Sequence, residues 1–220
     1  EKMTLEGTIN KTSLSLLVLI TTAFYTWNNM SPGLMMIGAI GGFIVALITI
    51  FKKHLSHYTT LIYAGLQGLF LGGVSRIYEL QFGDGLVGQA IFLTFGIFCA
   101  LLFAYKTKII RATDNFKLGI FAATAGIGLF YFISFIMSIF GFGLPVMDPS
   151  NASLFSIGFS IFVVVIASLN LVLDFDFIEE GAENGAPKYM EWYASFGLLI
   201  TLVWLYLEIL RLLSKLQSRR

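Results

Sequence analysis

Charge is scarce in this sequence: Asp, Glu, Lys and Arg make up 12% of its 220 residues, beside four prolines, two histidines and one cysteine. Each shortage removes a class of function. Fourteen basic residues, dispersed along the chain, form no clustered positive face of the kind that binds nucleic acid. Cys99 alone can make no intrachain disulfide and no zinc-type cluster, and it lies in an apolar run where a buried thiol is expected. There is no Ser/His/Asp constellation, no His-Glu-x-x-His, no phosphate-binding glycine loop and no Cys-x-x-Cys. Gly83, Gly85 and Gly88 lack the strand and helix that a dinucleotide site needs. No enzyme chemistry and no resident cofactor are therefore expected, and proline-free runs argue against sharp kinks.

What is abundant is apolar surface. Hydrophobic residues account for 57% of the chain, with 22 Phe and 22 Gly, and the mean hydropathy is +0.83. Such a composition suits lipid as solvent, with Phe cheap in hydrocarbon and Gly allowing helices to approach closely. Apolar runs lie at about 12–28, 34–51, 58–79, 86–105, 117–141, 153–175 and 191–213, each long enough for a transmembrane helix. The breaks between them hold turn residues or charge, among them Asn28, Asn29, Pro32, Gly33, Lys52, Lys53, Gly83, Asp84, Pro145 and Pro149. The expected fold is an all-α integral membrane protein, a bundle of seven transmembrane helices forming one domain over residues 1–220. The polar stretch up to Lys11 has no cleavage pattern of a signal peptide, so the first run reads as a retained helix.

Lys and Arg in the short loops set the orientation. Lys2 and Lys11, Lys52 and Lys53, and Lys106, Lys108, Arg111 and Lys117 fall in alternate connections, which seven crossings put on one side of the membrane, and this places the N-terminus in the cytoplasm. Seven full crossings then leave Arg211, Lys215, Arg219 and Arg220 on the far side, against the trend, and a re-entrant last segment would remove the conflict. Its length favours a full crossing. Gly38 with Gly42 and Gly68 with Gly72 form small-xxx-small pairs, although chance pairs are common in a chain this rich in glycine. Trp27, Tyr58, Tyr78, Tyr105, Trp192 and Tyr193 sit near run ends, as anchors in the headgroup region do.

An ionisable residue in or at the end of a span is a functional candidate, because burying it in lipid is costly. The sixth run passes into Asp174, Asp176, Glu179 and Glu180 without a turn residue, so its helix should continue. Asp174 shares a face with Asn170, and this oxygen-bearing stripe suits a hard cation such as calcium, with Asp174 as a metal ligand. A carboxylate capped by a cation or by backbone donors is the structural alternative. Asp176 points about 200° away from Asp174 on an unbroken helix and belongs with Glu180 to an acidic mouth. Glu191 enters from the same side on which Asp174 leaves, so the two carboxylates could approach and form a proton-sensitive pair. Glu208 and Arg211 are spaced to neutralise each other. Arg76 either does the same with Glu79 or lines an inner polar path. His54 and His57 read as a solvated loop pair.

The stretch Leu169-Asn170-Leu171-Val172-Leu173-Asp174-Phe175-Asp176-Phe177-Ile178, the segment 183–213 and the N-terminal Met3-Thr4-Leu5-Glu6-Gly7-Thr8-Ile9-Asn10-Lys11-Thr12 resemble the Bax inhibitor-1 family in its bacterial branch. The resemblance implies seven helices with the last one central. It also implies a pH-sensitive calcium leak, gated by one aspartate on each of the last two helices, in the bacterial inner membrane. Asp174 matches the first aspartate. The place of the second falls near Leu199-Ile200-Thr201, where there is no carboxylate, so either Glu191 substitutes, or Asp174 pairs with Arg76 or Lys188, or the proton switch is absent. The expected gate and pH sensor are thus Asp174 and Glu191, with Asn170, Asp176 and Arg76 along the ion path, and the expected partners are membrane lipid and calcium or another cation. The alternative is a non-conducting membrane protein that modulates other membrane proteins such as proteases.

Overall fold

The computed structural model describes residues 1–83 and 85–220. Seven long helices follow in order: α1 (Leu5–Asn28), α2 (Pro32–Phe51), α3 (Ser56–Phe82), α4 (Leu86–Lys106), α5 (Asp114–Ile139), α6 (Leu154–Glu183) and α7 (Met190–Ser218). Local sequence sets several of the starts. The hydroxyls of Thr4, Ser31 and Thr113 accept hydrogen bonds from the backbone N–H groups of Gly7, Leu34 and Phe116, satisfying donors that the helix itself leaves open. Pro32 adds its fixed φ to the first turn of α2. Among the described residues there is no strand, only an isolated antiparallel bridge between Lys2 and Pro187.

Helix bounds depart from the apolar runs where polar residues find partners inside the protein. α1 begins at Leu5 rather than near residue 12, because Thr4 caps it and Thr8 and Thr12 are buried. α6 passes through Asp174 and Asp176 to Glu183 without a break, so these two carboxylates leave opposite sides of one helix. α7 is a single helix of 29 residues, about 43 Å at the usual rise. Five helices, α2, α4, α5, α6 and α7, are long and apolar enough to cross a membrane. The other two, α1 and α3, carry the more polar stretches, including Asn10 and Lys11, and Gln67, Arg76 and Glu79.

The chain divides into two compact units, to both of which α6 and α7 contribute. In the first (Glu1–Gln81 with Asp174–Ile200), α3 packs closely on α1 and α2 through glycines. A Cβ at Gly68 would collide with Thr22 Oγ1 and the Leu19 carbonyl, and one at Gly72 with the Ala23 carbonyl. On the other side, a Cβ at Gly38 would lie 2.5 Å from the Leu66 carbonyl and one at Gly42 2.7 Å from Gln67 Nε2. Both small-xxx-small pairs are thus packing faces within the chain. In this unit α7 buries Ala194, Phe196, Leu198 and Leu199. In the second unit (Phe82–Leu173 with Thr201–Arg220), Ile120, Ile127, Val163 and Ile166 form the core against which Trp204 packs, and α7 buries Leu202, Leu205, Ile209 and Leu210. The last helix is therefore central in each unit. Outward-facing side chains such as Phe24, Phe51, Phe92, Phe121 and Phe155 leave an apolar exterior suited to lipid.

Candidate functional site

The first turn of α7 carries Glu191, which is completely buried. Glu191 Oε1 accepts from the Thr4 N–H (2.8 Å) and hydroxyl (2.9 Å) and lies 3.2 Å from Lys188 Nζ, while Oε2 pairs with Lys11 Nζ. Gly7 faces the same carboxylate, and any side chain there would occupy the space of its oxygens. Around this ion pair, Thr12 donates to Ser195 Oγ (3.0 Å), Ser56 to the Tyr189 carbonyl (2.9 Å) and Thr60 to the Trp192 carbonyl (3.1 Å). The start of α7 is thereby fastened to α1 and α3 by polar contacts. Lys11 also lies over the Trp192 ring and Lys53 over that of Tyr193, so these aromatics hold cations as well as marking a helix end.

Asp174 is half-buried on α6 and directs Oδ1 toward α7 at Gly197, 3.8 Å from where a Cβ would stand. The seventh helix offers no carboxylate at that point. Asp176 is half-buried, and Glu179, Glu180 and Glu183 on the following turns are exposed. Arg76 stacks over the Trp27 ring at 5.2 Å, which ties α3 to the end of α1. In the second unit, Asn170 Nδ2 donates to Thr124 Oγ1 (2.8 Å) and to the Ile166 carbonyl (2.9 Å). Of the residues named from the sequence, the structure thus gives Glu191 a buried clamp, Asn170 a bond to α5, and Asp174 a place facing α7. Among the described residues, no three His, Cys, Asp or Glu side chains come close enough to hold a metal ion. A calcium ion at Asp174 would therefore draw on at most two such side chains, and the rest of its oxygen shell would be backbone, amide or water.

A second polar cluster occupies the C-terminal half of α7. Arg211 Nη1 reaches both oxygens of the buried Glu208 (3.2 and 3.1 Å), as their spacing predicts. Tyr131 of α5 joins them, its hydroxyl donating to Glu208 Oε1 and accepting from Arg211 at 3.1 Å. Removing that hydroxyl with Tyr131→Phe leaves Glu208 with one donor fewer and is expected to cost about 1.5–3 kcal/mol, the usual worth of a hydrogen bond to a charged group. A melting curve in detergent that matches wild type would contradict this.

One turn on, Lys215 is fully buried. Its ammonium donates to the Val146 carbonyl (2.7 Å), Ser160 Oγ (2.8 Å) and the Ser156 carbonyl (3.3 Å), so neutral acceptors hold all three of its protons. Ser214 donates to the Pro149 carbonyl (3.1 Å). The α5–α6 turn is thereby tied to the end of α7, as it would be if both lie at one end of the molecule. A segment that turned back would not reach it. In that turn the Ser150 hydroxyl (2.6 Å) and backbone N–H (2.8 Å) both donate to Asp148 Oδ1, holding its carboxyl below the usual carboxylate range. Its contribution is present at neutral pH and is lost as pH falls through that lowered value. Neither Lys215 nor Lys11 stands out in the sequence, where both read as charges flanking a span.

Helices of this length and apolarity, with buried carboxylates along the last of them, define a multi-pass all-α membrane protein. The chain belongs to the Bax inhibitor-1 family: the family model described as "Bax inhibitor 1 like" matches residues 1–218, far beyond the three stretches that carry the resemblance in the sequence. Among curated proteins, no sequence matches the chain.

Proposed function

We propose that this protein is a pH-sensitive calcium leak channel of the Bax inhibitor-1 type, with Asp174 as its gate. It would sit in a bacterial inner membrane with its N-terminus in the cytoplasm, as the distribution of Lys and Arg predicts. The observation that carries the reading is the setting of Asp174. It is a half-buried carboxylate on an apolar helix, directed toward Gly197 of α7, on a helix that runs on through the acids Asp176, Glu179, Glu180 and Glu183. An ionisable group so placed is costly in a membrane and is retained where it serves an ion path. Protonation would remove a ligand charge from the path and any pairing that the charge supports, which couples passage to pH.

Asn170 lies one turn before Asp174 on α6, with Asp176 beyond it toward the acidic mouth, and Arg76 in this reading lines the path from α3. Glu191 contributes to pH sensing only through release of its clamp, since Lys11, Lys188 and Thr4 hold both of its oxygens. The test is calcium flux into liposomes at about pH 6 and about pH 8, on either side of the usual histidine range, for wild type and Asp174→Asn. Wild-type flux that depends on pH, with loss of flux or of that dependence in the variant, supports the gate. If both leak alike, the gate lies elsewhere. Wild-type vesicles as tight as empty ones would favour a non-conducting regulator of other membrane proteins, to be sought by co-purification from native membrane.

A further inference from the structure

The extended segment ahead of α1 is held against the end of α6. Met3 N–H donates to the Ala186 carbonyl (2.7 Å), Lys188 N–H donates to the Glu1 carbonyl (3.1 Å), and Lys2 bridges Pro187 between them. Thr4 closes the segment by giving both its N–H and its hydroxyl to Glu191. The Met3 side chain is the only one of the four to be buried, at 3% exposure, and its Sδ lies 2.9 Å from where a Cβ on Gly181 would stand. The Lys2 stem covers Gly185 in the same way, with Cδ 3.1 Å from that glycine's Cβ position. Gly185 has φ +65°, a left-handed turn open to a residue without a side chain, and that turn brings residues 186–188 alongside the segment.

Helical geometry relates this contact to Asp174. Gly181 is seven residues beyond Asp174 on the unbroken α6, which is two turns along and about 20° round. The two positions therefore share one face of the helix. Asp174 looks from that face toward Gly197, and Met3 occupies the same face nearer its C-terminal end. An apolar, flexible side chain thus covers that face between the C-terminal end of α6 and the carboxylate. Among the described residues, two backbone bonds, the Glu191 contacts and the packing of Met3 and Lys2 on two glycines fasten the segment, and elements held by few bonds open locally at less cost than global unfolding.

We propose that residues 1–4 are a strap that closes the Asp174 face of α6 at its C-terminal end, and that cation passage requires the strap to lift. The proposal rests on the leak reading and names how that site is regulated. Lys2 and Pro187 stand as a directly opposed antiparallel pair, whose usual Cα separation of about 4.5–5.5 Å lies within disulfide range. Lys2→Cys with Pro187→Cys, in a Cys99→Ala background that removes the one native thiol, should therefore lock the strap. In liposomes the oxidised protein should leak calcium no faster than empty vesicles, and reductant should restore the wild-type rate. Met3→Ser, which keeps the backbone bonds and removes the plug, should leak about tenfold faster or more, as expected when a minor open state of about 0.1–10% becomes the major one. If the reduced pair and wild type leak, and verified cross-linking leaves the rate unchanged, the strap proposal is overturned while the leak reading stands. If wild-type vesicles are as tight as empty ones and Met3→Ser is equally tight, the leak reading fails and the strap's role fails with it.

Discussion

Replacing Glu191 by alanine should lower the stability of the detergent-solubilised protein by about 3–5 kcal/mol, the usual consequence of removing one partner from a buried ion pair. The carboxylate has no exposure, and Lys11 retains only 17%. Without the acid, the Lys11 ammonium stays in a largely dry site and the Thr4 N–H and hydroxyl lose their acceptor. Lys188 keeps 42% of its side chain exposed, so water compensates it and it should contribute little to the loss. Lys188→Ala is therefore the matched control, with a small effect expected. Thermal melting of both variants decides the matter: equal melting temperatures would mean that the Glu191 site is wetter than its burial indicates. The Glu191 variant should also free the segment ahead of α1, because Thr4 is that segment's link to α7.

The second large effect is steric. A Cβ on Gly72 would strike the Ala23 carbonyl and Thr26 Oγ1, and a backbone carbonyl cannot step aside as a flexible side chain can. For Gly72→Ala to fit, α3 and α1 must separate, which loosens the row of contacts that Gly68 shares, and a cost of about 1–3 kcal/mol or more follows from overpacking. The opposite is expected at Gly96 in α4, where a Cβ meets no atom within 4 Å. There alanine should be neutral or stabilising by up to about 1 kcal/mol, through helix propensity alone. Melting curves that rank the two variants in the reverse order would show that the close α1–α3 approach does not bear on stability.

Much of this architecture is legible in the order of the amino acids. The apolar runs locate all seven helices, and the summed hydropathy of five of them, α2 and α4 to α7, is enough to mark a span. The absence of a turn residue after Asp174 announces that α6 runs on, and the i,i+3 spacing announces the Glu208–Arg211 pair. The two glycine pairs are visible as well, but their spacing cannot distinguish a packing face from chance. Polar beginnings are harder to see. The first turns of α1 are too hydrophilic to register as a span, and they are helical because Thr4 caps them and their threonines find partners inside.

The sequence by itself determined the class of protein, the number and order of helices, and the candidacy of Asp174, since each depends on residues close together in the chain. Tertiary structure alone decided which charges are neutralised and by what. Packing alone brought Glu191 its partner Lys11, 180 residues away. Lys215 could be read as a solvated terminal charge until the α5–α6 turn supplied it with the Val146 carbonyl, 69 residues away. Hydropathy adds up residue by residue along the chain, whereas the environment of a buried charge is set by the few atoms that folding places beside it, and for these two groups those atoms lie far away in sequence.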